Sequence, residues 1–249
     1  MQIGLIGAGN MACGLARGWG RPVVCTDVLA ERAQALADEL GGEALASNAE
    51  VAQRADLVFL CHKPPQLQAV AAEVAPHAKA IVSILAATPL ADVKAAYPDR
   101  PVYRILPSTP VEVRQGAVIL AADEPQDDEL DAQVRDLLTE LGTLVVLDDK
   151  LVDVAMGLMS NAPAYYALIV EAQVDAGVRY GIPPDQASQL VVQTMAGTAE
   201  LLRRQGYDTL AARRAVTSPG GSTARGLDAL ERGGLRSAFS AALDAILKP

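Results

Sequence analysis

Histidine occurs only twice in the 249 residues, at His62 and His77, and cysteine three times, at Cys13, Cys25 and Cys61. Two histidines without ligand-like spacing leave no donor set for a structural or catalytic metal. Three thiols complete no disulfide framework and none stands in a CxxC pair, which excludes an oxidised secreted scaffold. Long apolar runs are missing too. The longest, residues 163–170, stops at Glu171, far short of the ~20 residues that cross a bilayer. No cationic start precedes an apolar core in residues 1–20, so no secretory signal is read there. Positive charge is in deficit: 21 Lys and Arg stand against 30 Asp and Glu, a net −9, with no basic cluster beyond Arg203-Arg204 and Arg213-Arg214. Such a body does not suit a nucleic-acid polyanion. What is abundant is apolar residue, 51% against 20% charged, enough for packed cores and against disorder. The expectation is a soluble protein of the cytoplasm, long enough for one domain or two.

The chain changes character near residue 149. Before it, short apolar runs at 3–6, 23–26, 57–61, 80–85, 102–106, 117–121 and 144–147 alternate with helical stretches such as 30–40, 66–74 and 127–141. Continuous apolar strands alternating with helices predict a largely parallel sheet covered on both faces. After Lys150 strand signals stop, and residues 152–180, 184–205, 209–216, 223–232 and 235–247 read as helices. Gly181, Pro183 and Pro184 supply stop-and-restart punctuation. The expected class is α/β: a dinucleotide-binding domain over 1–149, then an all-helical domain over 150–249.

The first run ends in Gly7-Ala8-Gly9-Asn10-Met11-Ala12, a GxGxxA pattern between a strand and a helix. In that context Gly7 permits the tight turn, Gly9 lets a pyrophosphate approach the backbone, and Ala12 lets helix and strand pack closely. The helix N-terminus offers N–H groups and partial positive charge to the phosphates. A Gly-rich turn with no ligand would read the same way. The second run ends at Asp27, 18 residues after Gly9. An acid there accepts hydrogen bonds from adenosine ribose hydroxyls and repels a 2′-phosphate, favouring NADH; alternatively, Asp27 caps the next helix. His62, Lys63 and Pro64, then Ala86 and Ala87, follow further strand ends, where loops line a ligand crevice. In the second half, Val216-Thr217-Ser218-Pro219-Gly220-Gly221-Ser222-Thr223 precedes a helix. Its glycines and hydroxyls build a nest of N–H donors for a carboxylate or phosphate, or an ordinary N-cap.

Taken in order, GAGNMA, His62-Lys63-Pro64, RILPSTP, APAYYALIVEAQVDAGV, QTMAG and VTSPGGSTARGLDALERGGLR resemble the Δ1-pyrroline-5-carboxylate reductase family over nearly the whole chain. The resemblance implies an enzyme of proline biosynthesis that reduces a cyclic imine to L-proline with NADPH or NADH. It also implies a Rossmann domain and a helical domain that makes a homodimer by interleaving helices, often in larger rings. It makes Gly7, Ala8, Gly9, Asn10 and Met11 the pyrophosphate loop, Lys63 and Pro64 the crevice Lys-Pro, and Ala86 and Ala87 the strand end beside the nicotinamide ribose. Asn48 falls at the adenosine end. Ser218, Gly220, Gly221 and Ser222 hold the substrate carboxylate, and Thr223 stands near the imine nitrogen.

An absence agrees with this chemistry. Hydroxyacid dehydrogenases need a His or Lys to trade a proton with an alcohol, yet no histidine follows His77 and only Lys248 follows Lys150. A protonated imine is already electrophilic, so placement of the reactants carries more of the work. The sequence also departs from the family: Met159-Ser160-Asn161-Ala162 replaces Ser-Gly-Ser-Gly, Leu106-Pro107-Ser108 replaces Met-Pro-Asn, and His62 replaces a valine. A related imine reductase for another cyclic imino acid, or a dinucleotide-binding protein without chemistry, are the alternatives.

Overall fold

Ile3-Gly4-Leu5-Ile6 carries no polar side chain, and as β1 (Ile3–Ile6) it is buried throughout, as a strand covered on both faces must be. It lies between β2 (Val24–Thr26) and β4 (Leu57–Leu60), with Leu5 beside Cys25 and Phe59. The sheet is completed by β3 (Glu43–Ala44), β5 (Ile81–Ser83), β6 (Val102–Pro107), β7 (Gly116–Ala121) and β8 (Gly142–Leu147), in the order β3-β2-β1-β4-β5-β6-β7-β8. Every pairing is parallel except β6 with β7. The computed structural model describes residues 1–124 and 127–247 and divides into two units, Met1–Pro163 and Ala164–Pro249.

In the first unit, α1 (Asn10–Trp19), α2 (Ala30–Leu40) and α6 (Asp128–Thr139) cover one face, packing Leu15, Trp19, Leu36 and Leu137 around Leu5 and Phe59. Trp19 meets Phe59 edge-on at 5.0 Å between ring centroids, and its Nε1–H donates to the Leu137 carbonyl at 3.0 Å. The other face holds α3 (Asn48–Arg54), α4 (Leu67–Val74), α5 (Leu90–Ala96) and α7 (Asp149–Met159), with Val51, Val74, Val93 and Val152 against Val58 and Ile81. Parallel strands and helices on both faces make this a Rossmann-like α/β domain. The two-residue β3 and the seven-residue α3 and α5 are too short to show a period of their own.

Residues 152–180 are not one helix. α7 ends at Met159 and, after two intervening residues, α8 (Ala162–Arg179) begins. Pro163 is the cause: it has no N–H to give and its ring would strike the carbonyl four residues back. Asn161 instead donates its N–H to the Met156 carbonyl at 3.1 Å. Because α7 packs on β6 and β7, the first unit extends to Pro163.

The second unit continues with α9 (Pro184–Arg204), α10 (Thr209–Ala215), α11 (Ser222–Arg232) and α12 (Leu235–Leu247). Among its described residues the only buried apolar one is Ala187, while Leu168 is 64% exposed and Leu190 60%. In α8 Tyr165 is half-buried and Tyr166 half exposed. Helices in one copy of this unit do not enclose their own apolar surface, which is an unusual state for a lone soluble domain. Among the described residues no helix is long and apolar enough to cross a membrane.

Candidate active site

The strand order reverses between β1 and β4, and ligands of such sheets bind at the carboxyl ends of the strands beside that point. The structure brings five of the expected segments to this edge, after β1, β2, β3, β4 and β5. Gly7 leaves β1 at φ 105°, a conformation costly for any residue with a side chain. Its N–H donates to the Thr26 carbonyl at 2.8 Å, and a Cβ here would lie 2.8 Å from the Cys61 carbonyl oxygen. Gly9 is the N-cap of α1 with no side-chain cap, and nothing stands within 4 Å of where its Cβ would be. No acid lies in the first turn of α1. Its leading N–H groups therefore have no capping side chain, and the positive end of the helix lies behind them, with Asn10 exposed and Met11 half-buried. Buried Ala8 and Ala12 hold the loop and helix close to the sheet.

Asp27 binds this loop directly. Its Oδ2 accepts the Ala8 N–H at 2.7 Å and its Oδ1 the Leu29 N–H at 2.9 Å. The N-cap of α2 is Leu29, so Asp27 is not that helix's cap. A carboxylate offers about four acceptor positions, so two remain for ribose hydroxyls. Asn48 opens α3, and its Nδ2 donates to Glu73 Oε2 at 2.9 Å. Lys63 is exposed, its N–H held by Gln66 Oε1 at 3.1 Å, and Pro64 begins a 3₁₀ turn. Exposed Ala86 and Ala87 follow β5, with Ala87 at φ 50° although it is not a glycine.

His62 gives the sharpest sign of a missing partner. Its Nδ1 lies 2.9 Å from the Lys63 carbonyl, an acceptor only, so Nδ1 carries the proton and Nε2 presents a lone pair. That Nε2 is buried with no hydrogen-bond partner, and burial holds the ring below the usual histidine pKa. An uncapped helix start, an open Gly9 and an orphaned ring nitrogen at one strand edge fit a bound dinucleotide.

The second-unit turn leads into α11 through two glycines. Gly221 N–H closes on the Ser218 carbonyl at 3.0 Å around Pro219 and Gly220. Gly220 sits at φ 70°, the position of a type II turn that demands glycine. Gly221 then caps α11 with no side-chain hydrogen bond and no acid in the first turn. Arg225 Nη1 donates to the Gly220 carbonyl at 2.7 Å, an anchor not apparent from sequence. Ser222 is exposed and Thr223 half-buried, and neither hydroxyl makes a hydrogen bond within the chain.

Two family departures have local roles. Ser108 is buried, and its Oγ accepts the Ala117 N–H at 2.9 Å, closing the β6–β7 pair. Met159 packs against the first unit's core, and Ser160 and Asn161 form the helix break. Lys248 lies outside the described residues. Among those residues no cluster of His, Cys, Asp and Glu is arranged to hold a metal.

Fold and strand-edge site together define a nicotinamide-dinucleotide oxidoreductase with a helical second unit. Residues 149–248 match the family model for pyrroline-5-carboxylate reductase dimerisation, and residues 2–87 one for NADP oxidoreductase, coenzyme F420-dependent. Pyrroline-5-carboxylate reductase of Pseudomonas aeruginosa is 35% identical over 98% of this chain and 93% of its own. The crystal structure of 1-pyrroline-5-carboxylate reductase from Streptococcus pyogenes superposes with a TM-score of 0.88 at 32% identity, covering 99% of this chain and 96% of that one. The Plasmodium falciparum pyrroline carboxylate reductase with NADP bound gives 0.88 at 23% identity over 99% and 95%, a likeness of fold. The chain belongs to the pyrroline-5-carboxylate reductase family.

Proposed function

We propose that this protein reduces the C=N bond of 1-pyrroline-5-carboxylate to give L-proline, the closing step of proline biosynthesis. The observation that carries the reading is the donor-rich, acid-free turn at the start of α11, in a helical unit with no histidine and no lysine among its described residues. Such a unit binds a carboxylate but lacks the base an alcohol oxidation needs.

When bound, the reduced nicotinamide supplies the hydride that adds to the imine carbon. The N–H groups at the start of α1 take the pyrophosphate, with Gly7, Ala8, Gly9, Asn10 and Met11 as its loop. Asn48 and Asp27 serve the adenosine end, and His62, Lys63, Pro64, Ala86 and Ala87 line the nicotinamide side. The backbone of Ser218, Gly220, Gly221 and Ser222 anchors the substrate carboxylate. As the C–H bond forms, the C=N π pair collects on nitrogen; the Thr223 hydroxyl orients that nitrogen or, where the imine enters unprotonated, relays it a proton that solvent restores to the hydroxyl.

The test is pyrroline-5-carboxylate-dependent loss of NADH or NADPH absorbance. No turnover with either cofactor at saturating substrate rejects the assignment. The altered Met159-Ser160-Asn161-Ala162 segment favours one rival, a reductase of another cyclic imino acid, which a panel of five- and six-membered cyclic imines separates. Dinucleotide binding with no turnover on any of them would mark a protein without chemistry.

Asp27 favours NADH, since a 2′-phosphate beside its carboxylate meets like charge. Catalytic efficiency is expected to be higher with NADH than with NADPH, and a strong NADPH preference would show that Asp27 serves only to hold Ala8 and Leu29.

The exposed apolar faces of α8 and α9 favour a homodimer through residues 150–249, assembled in turn into a ring of dimers, while residues 1–149 bind the cofactor. Light scattering should give at least twice the 26.0 kDa chain mass; a monomer at assay concentration overturns this. A reduced cofactor and three unpaired cysteines suit the cytoplasm.

A further inference from the structure

Arg104 is the most deeply buried charged residue of the first unit, its side chain 2% exposed in the middle of β6. A charge so placed must be paired. Its Nη1 donates to Asp149 Oδ1 at 2.8 Å and its Nη2 to Asp153 Oδ1 at 2.7 Å, both carboxylates on α7. The two aspartates differ in what else they do. Asp149 Oδ2 accepts the N–H of Leu90 at 3.0 Å, the first residue of α5, whose N-cap Pro89 offers no side chain for the purpose. Asp153 has no such contact.

Leu90 closes the loop 84–89, which carries Ala86 and Ala87. Ser83 Oγ accepts the Leu85 N–H at 3.3 Å at one end, and Thr88 Oγ1 donates to the Ala86 carbonyl at 3.1 Å within. Ser83 is also the strand partner of Arg104. Ala87 is held at φ 50°, a conformation that persists in a non-glycine residue only where the surroundings impose it.

We infer that Asp149 is a positioning residue for the reaction. Gripped by Arg104, it fixes the loop at Leu90 so that Ala86 and Ala87 keep the shape in which the dinucleotide binds. This rests on the cofactor role proposed for Ala86 and Ala87.

Asp149 and Asp153 share α7 and the same arginine, so the pair supplies its own control. Asp149→Ala, Asp149→Asn and Asp153→Ala are compared with the unaltered protein by fluorescence titration with NADH and NADPH. Hydrogen exchange across residues 84–92 is followed without ligand. Asp149→Ala is expected to weaken dinucleotide binding about tenfold and to speed exchange at Leu90. Asp149→Asn, which keeps an oxygen for Leu90, recovers most of the loss, and Asp153→Ala stays within about twofold at a similar thermal destabilisation. Should Asp149→Ala not fold, Asp149→Asn carries the test, with a small but measurable loss against Asp153→Ala expected. Equal weakening by the alanine variants at 149 and 153, or unchanged affinity and exchange in the Asp149 variants, overturns the inference. If the unaltered protein binds neither dinucleotide, the cofactor reading itself fails, and the Leu90 exchange still decides whether Asp149 fixes the loop.

Discussion

Gly7→Val is expected to weaken NADH and NADPH binding by about a hundredfold, near 2.7 kcal/mol, while leaving a folded protein. Gly7 sits at φ 105°, and a Cβ would come within 2.8 Å of the Cys61 carbonyl oxygen and 3.0 Å of its carbon. Those are backbone atoms of the strand end next door, so no rotamer relieves the clash. A β-branched residue at positive φ adds its own strain, roughly 1–2 kcal/mol. The cheapest response is for the loop to lift, which breaks the Ala8 hydrogen bond to Asp27 and moves Gly9 and the first N–H groups of α1 away from the pyrophosphate. Fluorescence titration beside a thermal melt reads this out. Affinity within threefold of the unaltered protein at a normal melting temperature would mean that this loop does not hold the dinucleotide.

The second large effect is expected at Thr223. Its hydroxyl makes no hydrogen bond within the chain, so Thr223→Ala breaks no hydrogen bond of the fold. If Thr223 has the role proposed for it, loss of its hydroxyl should lower kcat by about a hundredfold, the lower end for a positioned proton transfer. Affinity for the dinucleotide should stay within about twofold, because the cofactor loops belong to the other unit. Thr223→Ser, which keeps the hydroxyl, should restore most of the rate. Steady-state kinetics with all three proteins decide it, and an unchanged kcat in the alanine variant removes Thr223 from the mechanism.

Much of this is legible in the sequence. The alternation of apolar runs with helical stretches, the GxGxxA turn, the glycine-hydroxyl turn before α11 and the lack of strands after Lys150 are statements about neighbours in the chain. The break at residues 160–161 was not read, since the apolar run around it reads as continuous helix, although Pro163 carried a signal for it. The double use of Asp27 was not legible, since the sequence offers it equally to a ribose or a helix end. Nor was the orphaned Nε2 of His62, which depends on what surrounds the ring. Arg104 carried a signal, a charge inside an otherwise apolar strand, but no indication of its partner.

Local sequence by itself determined where the longer strands and helices form, because side-chain periodicity, glycine at positive φ and proline act over a few residues. Tertiary structure alone decided which two carboxylates hold Arg104 and which of them also serves a backbone N–H. Asp149 lies 45 residues from Arg104 and 59 from Leu90, and a buried charge takes whichever partner the packed helices bring within reach.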